Sequence, residues 1–200
     1  ESVSRVRVVR LRHLTEEESR AYLVDALGEK FPEKLSSHSI YEYTGGNLRF
    51  LKDVAENIRV GAEENFQFLP ETERTLERLF SGFRQEEYEY LEYLSVMEHG
   101  TDVQQLSSML EENSVKAMKI LDFLMRRRLL SETGAGKHRM LKIREKMVRD
   151  MIYERTSQFK RLELHKLAIR YYEKIYQKNR GVYFYLSELR YHYSFTDCEY

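Results

Sequence analysis

Apolar positions along the chain recur mostly at helical spacing. Leu51, Val54, Ala55, Ile58 and Ala62 fall at i, i+3, i+4, i+7 and i+11, the stripe of an amphipathic helix with one buried face. Asn47 is a good N-cap residue, so the pattern predicts a helix over 47–64. Upstream, Thr15-Glu16-Glu17-Glu18 has the form of a capping box. It opens a helix to about Leu27, with Tyr22, Leu23, Ala26 and Leu27 on one side and Gly28 as C-cap. A helix is expected between them over 33–43, broken by Gly45-Gly46. These three helices need one another to cover their apolar stripes.

The period changes at two places. Residues 6–11 read Val-Arg-Val-Val-Arg-Leu, short and β-branched, and predict a strand at the edge of a sheet whose other strands lie outside the chain. Downstream of Pro70, helices are expected over 70–80, 85–98, 102–112 and 115–128. The glycine turn Gly134-Ala135-Gly136-Lys137 then joins two short apolar runs, 129–132 and 139–143, as a β-hairpin. Three helices followed by a hairpin is the order of a winged helix. Helices over 144–156, 157–178 and, after Gly181, 183–196 complete the chain. The last ends without a cap signal, and the chain reads as truncated at both ends.

Composition narrows the class. Of 200 residues, 42% are hydrophobic and 33% charged, which suits an ordered, soluble, cytoplasmic chain. Two prolines and nine glycines are too few for a loop-rich sandwich. The apolar runs are too short for a membrane span, and no signal-peptide core opens the chain. The single cysteine, Cys198, excludes an intrachain disulfide and a cysteine-only zinc site.

Net charge is zero but unevenly spread. Residues 56–113 hold fourteen acidic against four basic side chains, and residues 115–180 nineteen basic against seven acidic. Such a split points to two faces that attract each other or a third partner. It also permits a nucleic-acid footprint on the basic half.

Most candidate chemistry is negative. The Gly136-Lys137 step lacks the hydroxyl residue a phosphate loop needs after its lysine, where His138 stands. Six histidines are scattered without an i, i+4 pair, which is the pattern of packed or solvated rings. The carboxylates of 63–112 are expected on solvent faces, so no acid/base pair stands out. Two basic features remain. Arg49 lies in the first turn of the helix that Asn47 caps, where helix dipole and guanidinium both favour an anion. Lys116, Lys119, Arg126, Arg127 and Arg128 lie on the helix in the recognition position of a winged helix, and Lys137 in its wing; these could reach nucleic-acid phosphates. The apolar residues of that helix, Val115 and Met118 among them, leave a narrow polar strip, so it is expected to be mostly buried.

Four segments resemble, in order, the C-terminal half of a STAND-type signalling ATPase of the AAA+ class, close to the ATPase modules of large LuxR-like bacterial transcriptional regulators. Arg10-Leu11-Arg12-His13-Leu14-Thr15-Glu16-Glu17-Glu18 resembles the last core strand entering the lid. Thr44-Gly45-Gly46-Asn47-Leu48-Arg49-Phe50-Leu51 resembles the lid motif Thr-Gly-Gly-Asn-Pro-x-Phe-Leu. Residues 143–154 with 160–168 resemble a Phe-Arg-His…Tyr-Glu segment and the Leu-His-x-x-x-Ala helix after it. Leu189-Arg190-Tyr191-His192-Tyr193 resembles the start of tetratricopeptide-like repeats.

The resemblance implies a mainly α chain: 1–14 the end of a P-loop core, 15–66 a three-helix lid, 67–156 a winged helix, and 157–200 a helical linker with the first repeat helices. It implies ATP or ADP with magnesium in the parent protein and no cofactor or catalysis in this fragment, which lacks the core. Its partners would be that core and the downstream repeats, with self-association possible through an exposed aromatic end (Tyr183, Phe184, Tyr185, Tyr191, Tyr193, Phe195), and no membrane. Gly46, Asn47, Leu48, Arg49 and Glu145 would lie near the nucleotide. Two positions depart from the family: Leu48 replaces the lid proline, making Leu48-Arg49 similar to a Gly-Asp-x-Arg sensor element, and Glu145 replaces the winged-helix histidine. The alternatives are a winged-helix DNA-binding module and a nucleotide-independent interaction scaffold.

Overall fold

The structure, a computed structural model, describes residues 12–28, 31–32, 36–62, 66–134 and 139–196. The expected strand at 6–11, Lys137 and Cys198 lie outside the described residues. Among those described, the fold is mainly helical, with ten helices and one two-stranded antiparallel sheet. The chain divides into two compact units, Glu1–Glu77 and Arg78–Tyr200. No described helix is long and apolar enough to cross a membrane.

The first unit contains α1 (Glu16–Leu27), α2 (Ser37–Thr44), α3 (Leu48–Arg59) and the start of α4 (Pro70–Ser81). The capping box predicted at Thr15 is formed: the Glu18 amide donates to Thr15 Oγ1, and the Thr15 amide donates to the Glu18 carboxylate at 2.8 Å. Arg12 braces the same carboxylate at 2.6 and 2.7 Å and holds its pKa down at about 2. Leu23, Leu27, Ile40, Leu51, Val54 and Ile58 close the core. The helix expected over 33–43 begins only at Ser37, with Ser36 in the N-cap position; residues 33–35 lie outside the described residues. Helix α3 stops at Arg59, short of the stripe's extent. Gly61 takes φ +81° and the Ala62 amide turns back to the Asn57 carbonyl at 2.9 Å. Asn57 also exchanges hydrogen bonds with the Gln67 backbone, at 2.8 and 3.2 Å. The Asn57–Gln67 contact and the left-handed turn at Gly61 therefore end the helix five residues before the expected 64.

The second unit contains α5 (Gln85–Ser95), α6 (Val103–Met109), α7 (Ser114–Arg126), β1 (Leu130–Thr133), β2 (Met140–Ile143), α8 (Lys146–Arg155), α9 (Gln158–Lys178) and α10 (Tyr183–Tyr193). Helix α5 is its centre. Residues 90–95 are all buried, and α5 packs on α7, α8 and β2. The hairpin pairs Leu130 with Ile143 and Glu132 with Leu141. A single-residue bridge adds Thr101 to Leu141, its amide donating at 2.9 Å and its carbonyl accepting at 2.7 Å. Gly100 permits this approach: its φ is +84°, and a Cβ there would lie 2.6 Å from the Leu141 carbonyl oxygen. One residue has no period, so no pattern could announce this bridge.

The charge asymmetry has a local outcome in this unit. Lys160 of α9 pairs with Glu92 of α5. Arg149 of α8 reaches Glu98 at 3.0 Å and the Ser95 carbonyl at 2.9 Å. The expectation that the carboxylates of 63–112 face solvent is corrected at two of them. Glu87 and Glu92 are buried, Glu87 accepting from the Arg84 amide at 2.9 Å and Glu92 held by Lys160.

Candidate functional site

The 45–49 corner joins α2 to α3 and has two characters. Gly45 and Gly46 both take positive φ, +60° and +69°. Gly46 is buried, and the Leu14 amide donates to its carbonyl at 2.8 Å. Its lack of a side chain admits the close approach of the Leu14 backbone. Asn47 caps α3, its side chain accepting from the Arg49 amide at 3.1 Å. Beyond it the corner opens. Leu48 is 52% exposed, and Arg49 is exposed with its guanidinium donating to Thr75 Oγ1 at 2.7 Å. Among the described residues Thr75 is its one hydrogen-bond partner, which leaves most of the five donors of the guanidinium in solvent. The first turn of α3 holds no acidic residue, so the positive end of the helix dipole is not offset there.

One turn further along α3, Asp53 is buried. Thr72 donates to its Oδ1 at 3.1 Å while Oδ2 has no partner. Burial pushes this carboxyl above its ordinary pKa, with the Thr72 hydrogen bond opposing. Arg49–Thr75, Asp53–Thr72 and Asn57–Gln67 form a ladder at i, i+4 spacing along α3. It ties the 66–77 segment to that helix within the first unit.

Glu145 lies in the second unit as the N-cap residue of α8. It is 5% exposed, and burial raises its carboxyl to about 7. The group is therefore close to half neutral near pH 7 and is not presented to a ligand in solvent.

Helix α7 corrects the expectation of a mostly buried helix. Ala117, Ile120, Leu121 and Leu124 form one buried face. Val115 and Met118, which the sequence placed in the core, are 59% and 51% exposed, and Lys119, Asp122 and Arg126 share the solvent face. Lys116 is engaged by Glu112 at 3.0 Å and Glu86 at 3.4 Å. Arg127 lies over the Phe83 and Phe123 rings at 6.0 and 5.3 Å. Arg128 is exposed, with φ +60° just beyond the helix end.

The sequence did not find the polar cluster inside the second unit. His165 of α9 and His192 of α10 are both buried and touch through Nδ1 atoms 2.9 Å apart. Glu188, fully buried, accepts from the Tyr172 hydroxyl at 3.1 Å and contacts His99. The signals available were that His165 and His192 each fall among the apolar positions of their helices and that each stands in a segment quoted for the resemblance. The aromatic end is also only partly free: Tyr183 is 79% exposed, whereas Tyr185, Tyr191 and Tyr193 are half-buried.

No protein-family model matches the chain, and none of the curated proteins is similar to it.

Proposed function

We propose that the chain is the regulatory part of a nucleotide-dependent signalling ATPase. Residues 15–66 act as a lid that responds to ATP or ADP on a P-loop core. Residues 67–156 and 157–200 act as a winged helix and the first helices of a repeat array, which pass the response on. The observation that carries this reading is the divided 45–49 corner. Gly46 is fixed to Leu14, while Arg49 is exposed in the first turn of α3, a turn that holds no acidic residue.

That arrangement suits a terminal phosphate. Bound ATP supplies a γ-phosphate whose loss is the signal. Arg49 would bind it through charge-assisted hydrogen bonds, the guanidinium fork matching phosphate oxygens. Thr75 accepts from one guanidinium nitrogen of Arg49 and holds that side chain in place, which reduces the entropy lost on binding. Glu145 does not fit the nucleotide role of the residue it replaces, because its carboxylate is buried. The response is therefore assigned to the lid. The order α5, Thr101, α6, α7, β1, β2, with Thr101 bridged to β2, supports the winged-helix reading of the second unit. The packing of α10 along α9 supports the repeat reading.

The test is ATP turnover by the polypeptide that joins this chain to its P-loop core. Arg49→Ala is expected to lower turnover, or the preference for ATP over ADP, at least tenfold. Unchanged turnover removes Arg49 from the site, and a gene with no Walker A upstream overturns the reading.

A second reading is favoured by α7, whose exposed face carries Lys119 and Arg126, with Asp122 beside them. A salt-sensitive gel shift of this chain on duplex DNA, weakened by Lys119→Ala, would support it; no shift at low salt dismisses it.

A further inference from the structure

The rings of His165 and His192, 1% and 0% exposed, meet through Nδ1 atoms 2.9 Å apart. Such a contact is a hydrogen bond only when one Nδ1 carries a proton and the other does not. The surroundings decide which. His192 Nε2 has no hydrogen-bond partner and faces Glu188 Oε2 at 4.0 Å. Glu188 is an acceptor here: the Tyr172 hydroxyl, which itself receives a bond from Gln105 Nε2 at 2.7 Å, directs its proton to Oε2, and His99 Nδ1 lies against Oε1. A bare lone pair on His192 Nε2 would face that acceptor oxygen, whereas an N–H faces it favourably. His192 therefore carries its proton on Nε2 and accepts at Nδ1 from His165. The Tyr153 hydroxyl, 3.2 Å away, then donates to His165 Nε2.

We propose that this pair is an acid-released latch: α10 is held on α9 while both rings are neutral, and mild acid frees α10 together with the aromatic surface it covers. One added proton buries a cation. A second sets N–H against N–H and removes the bond. The groups facing the pair oppose protonation on balance. Helix α8 contributes Arg149 and Tyr153, and α9 contributes Arg161 and Tyr172. Helix α10 contributes Glu188 and Tyr191. Glu98 and His99 follow α5, and Glu98 is taken up by Arg149. Glu188, the carboxylate that His192 Nε2 faces, is already shared with Tyr172 and His99.

Burial, with Arg149 adding to it, holds His165 at about 4 and His192 at about 3. In released α10 both rings return to the ordinary value near 6.5. Between these limits the open form binds up to two more protons than the closed form, so acid favours opening. The limiting slope is about 100-fold in open population per pH unit. Opening would unstack His165 from Phe195, whose rings lie 4.5 Å apart at 11°, and His192 from Tyr172, at 5.7 Å and 23°.

The experiment is amide hydrogen exchange of the intact chain between pH 7 and 5, corrected for intrinsic exchange. Opening of α10 should rise steeply with acid, toward 100-fold per unit, while α5 amides exchange more slowly than those of α10 at every pH. Opening that ignores pH, or α5 and α10 exchanging at one common rate, overturns the latch. The His192→Gln variant should cut the slope to about 10-fold per unit; an unchanged slope also overturns it. Should that variant fail to fold, nitrogen-15 spectra of the histidines in the unaltered chain at pH 7 decide. Expected are the Nε2–H form for His192 and the Nδ1–H form for His165, and the reverse assignment defeats the proposal.

Discussion

Leu14 and Gly46 touch backbone to backbone: the Leu14 amide donates to the Gly46 carbonyl at 2.8 Å, and a Cβ on Gly46 would lie 2.1 Å from the Leu14 carbonyl oxygen. This contact fixes the entry to α1 against the turn that starts α3. Gly46 also takes φ +69°, so a side chain meets both a steric and a conformational penalty. Gly46→Ala is expected to destabilise the first unit by about 3 kcal/mol, read as a lowered denaturation midpoint. A loss below about 0.5 kcal/mol would mean that this contact is easily displaced.

Glu145 gives the chain a pH dependence of definite sign. Its folded pKa, about 7, lies above the ordinary carboxylate value. The folded state therefore binds more protons than the unfolded state between roughly pH 4.5 and 7, and the stability tied to this group is lost as pH rises through that window. Glu145→Gln removes the buried charge. It is expected to stabilise the chain by about 2 kcal/mol at pH 8 and by little at pH 4.5. Denaturant titrations at the two pH values check this, and an equal effect at both would contradict it.

Glu111 carries φ +52° just beyond α6, in the left-handed region that favours glycine. Its side chain is exposed. Glu111→Gly should stabilise the second unit by about 0.5–1 kcal/mol, the relief of left-handed strain exceeding the extra chain entropy of glycine. Thermal melting measures it, and a lowered midpoint refutes it.

Lys160 and Glu92 join α9 to α5, with the Glu92 side chain 10% exposed and that of Lys160 38% exposed. Lys160→Met leaves the carboxylate without its cation in a mostly dry site and is expected to cost about 2 kcal/mol. The double variant Lys160→Met with Glu92→Leu should recover most of that loss. A double variant as unstable as the single one would show that packing, not charge, decides the site.

Sequence alone fixed much of the helical layout. The Thr15 capping box, the glycine stop at Gly28 and the Asn47 cap rest on local hydrogen bonds that neighbouring residues supply, so their pattern can be read along the chain. The same holds for the two strands of the hairpin, which pair as neighbours in the chain. Tertiary structure decided the rest. The end of α3 is set by Asn57 reaching the Gln67 backbone, ten residues away. Which side of α7 is buried depends on what packs against it, and Val115 and Met118 fall on its exposed side. His165 and His192 are 27 residues apart in two separate segments, neither of which points to the other, yet helix packing brings their Nδ1 atoms to 2.9 Å. Local bonds leave a signature in consecutive residues; buried polar contacts between helices depend on which faces meet, and linear spacing does not encode that.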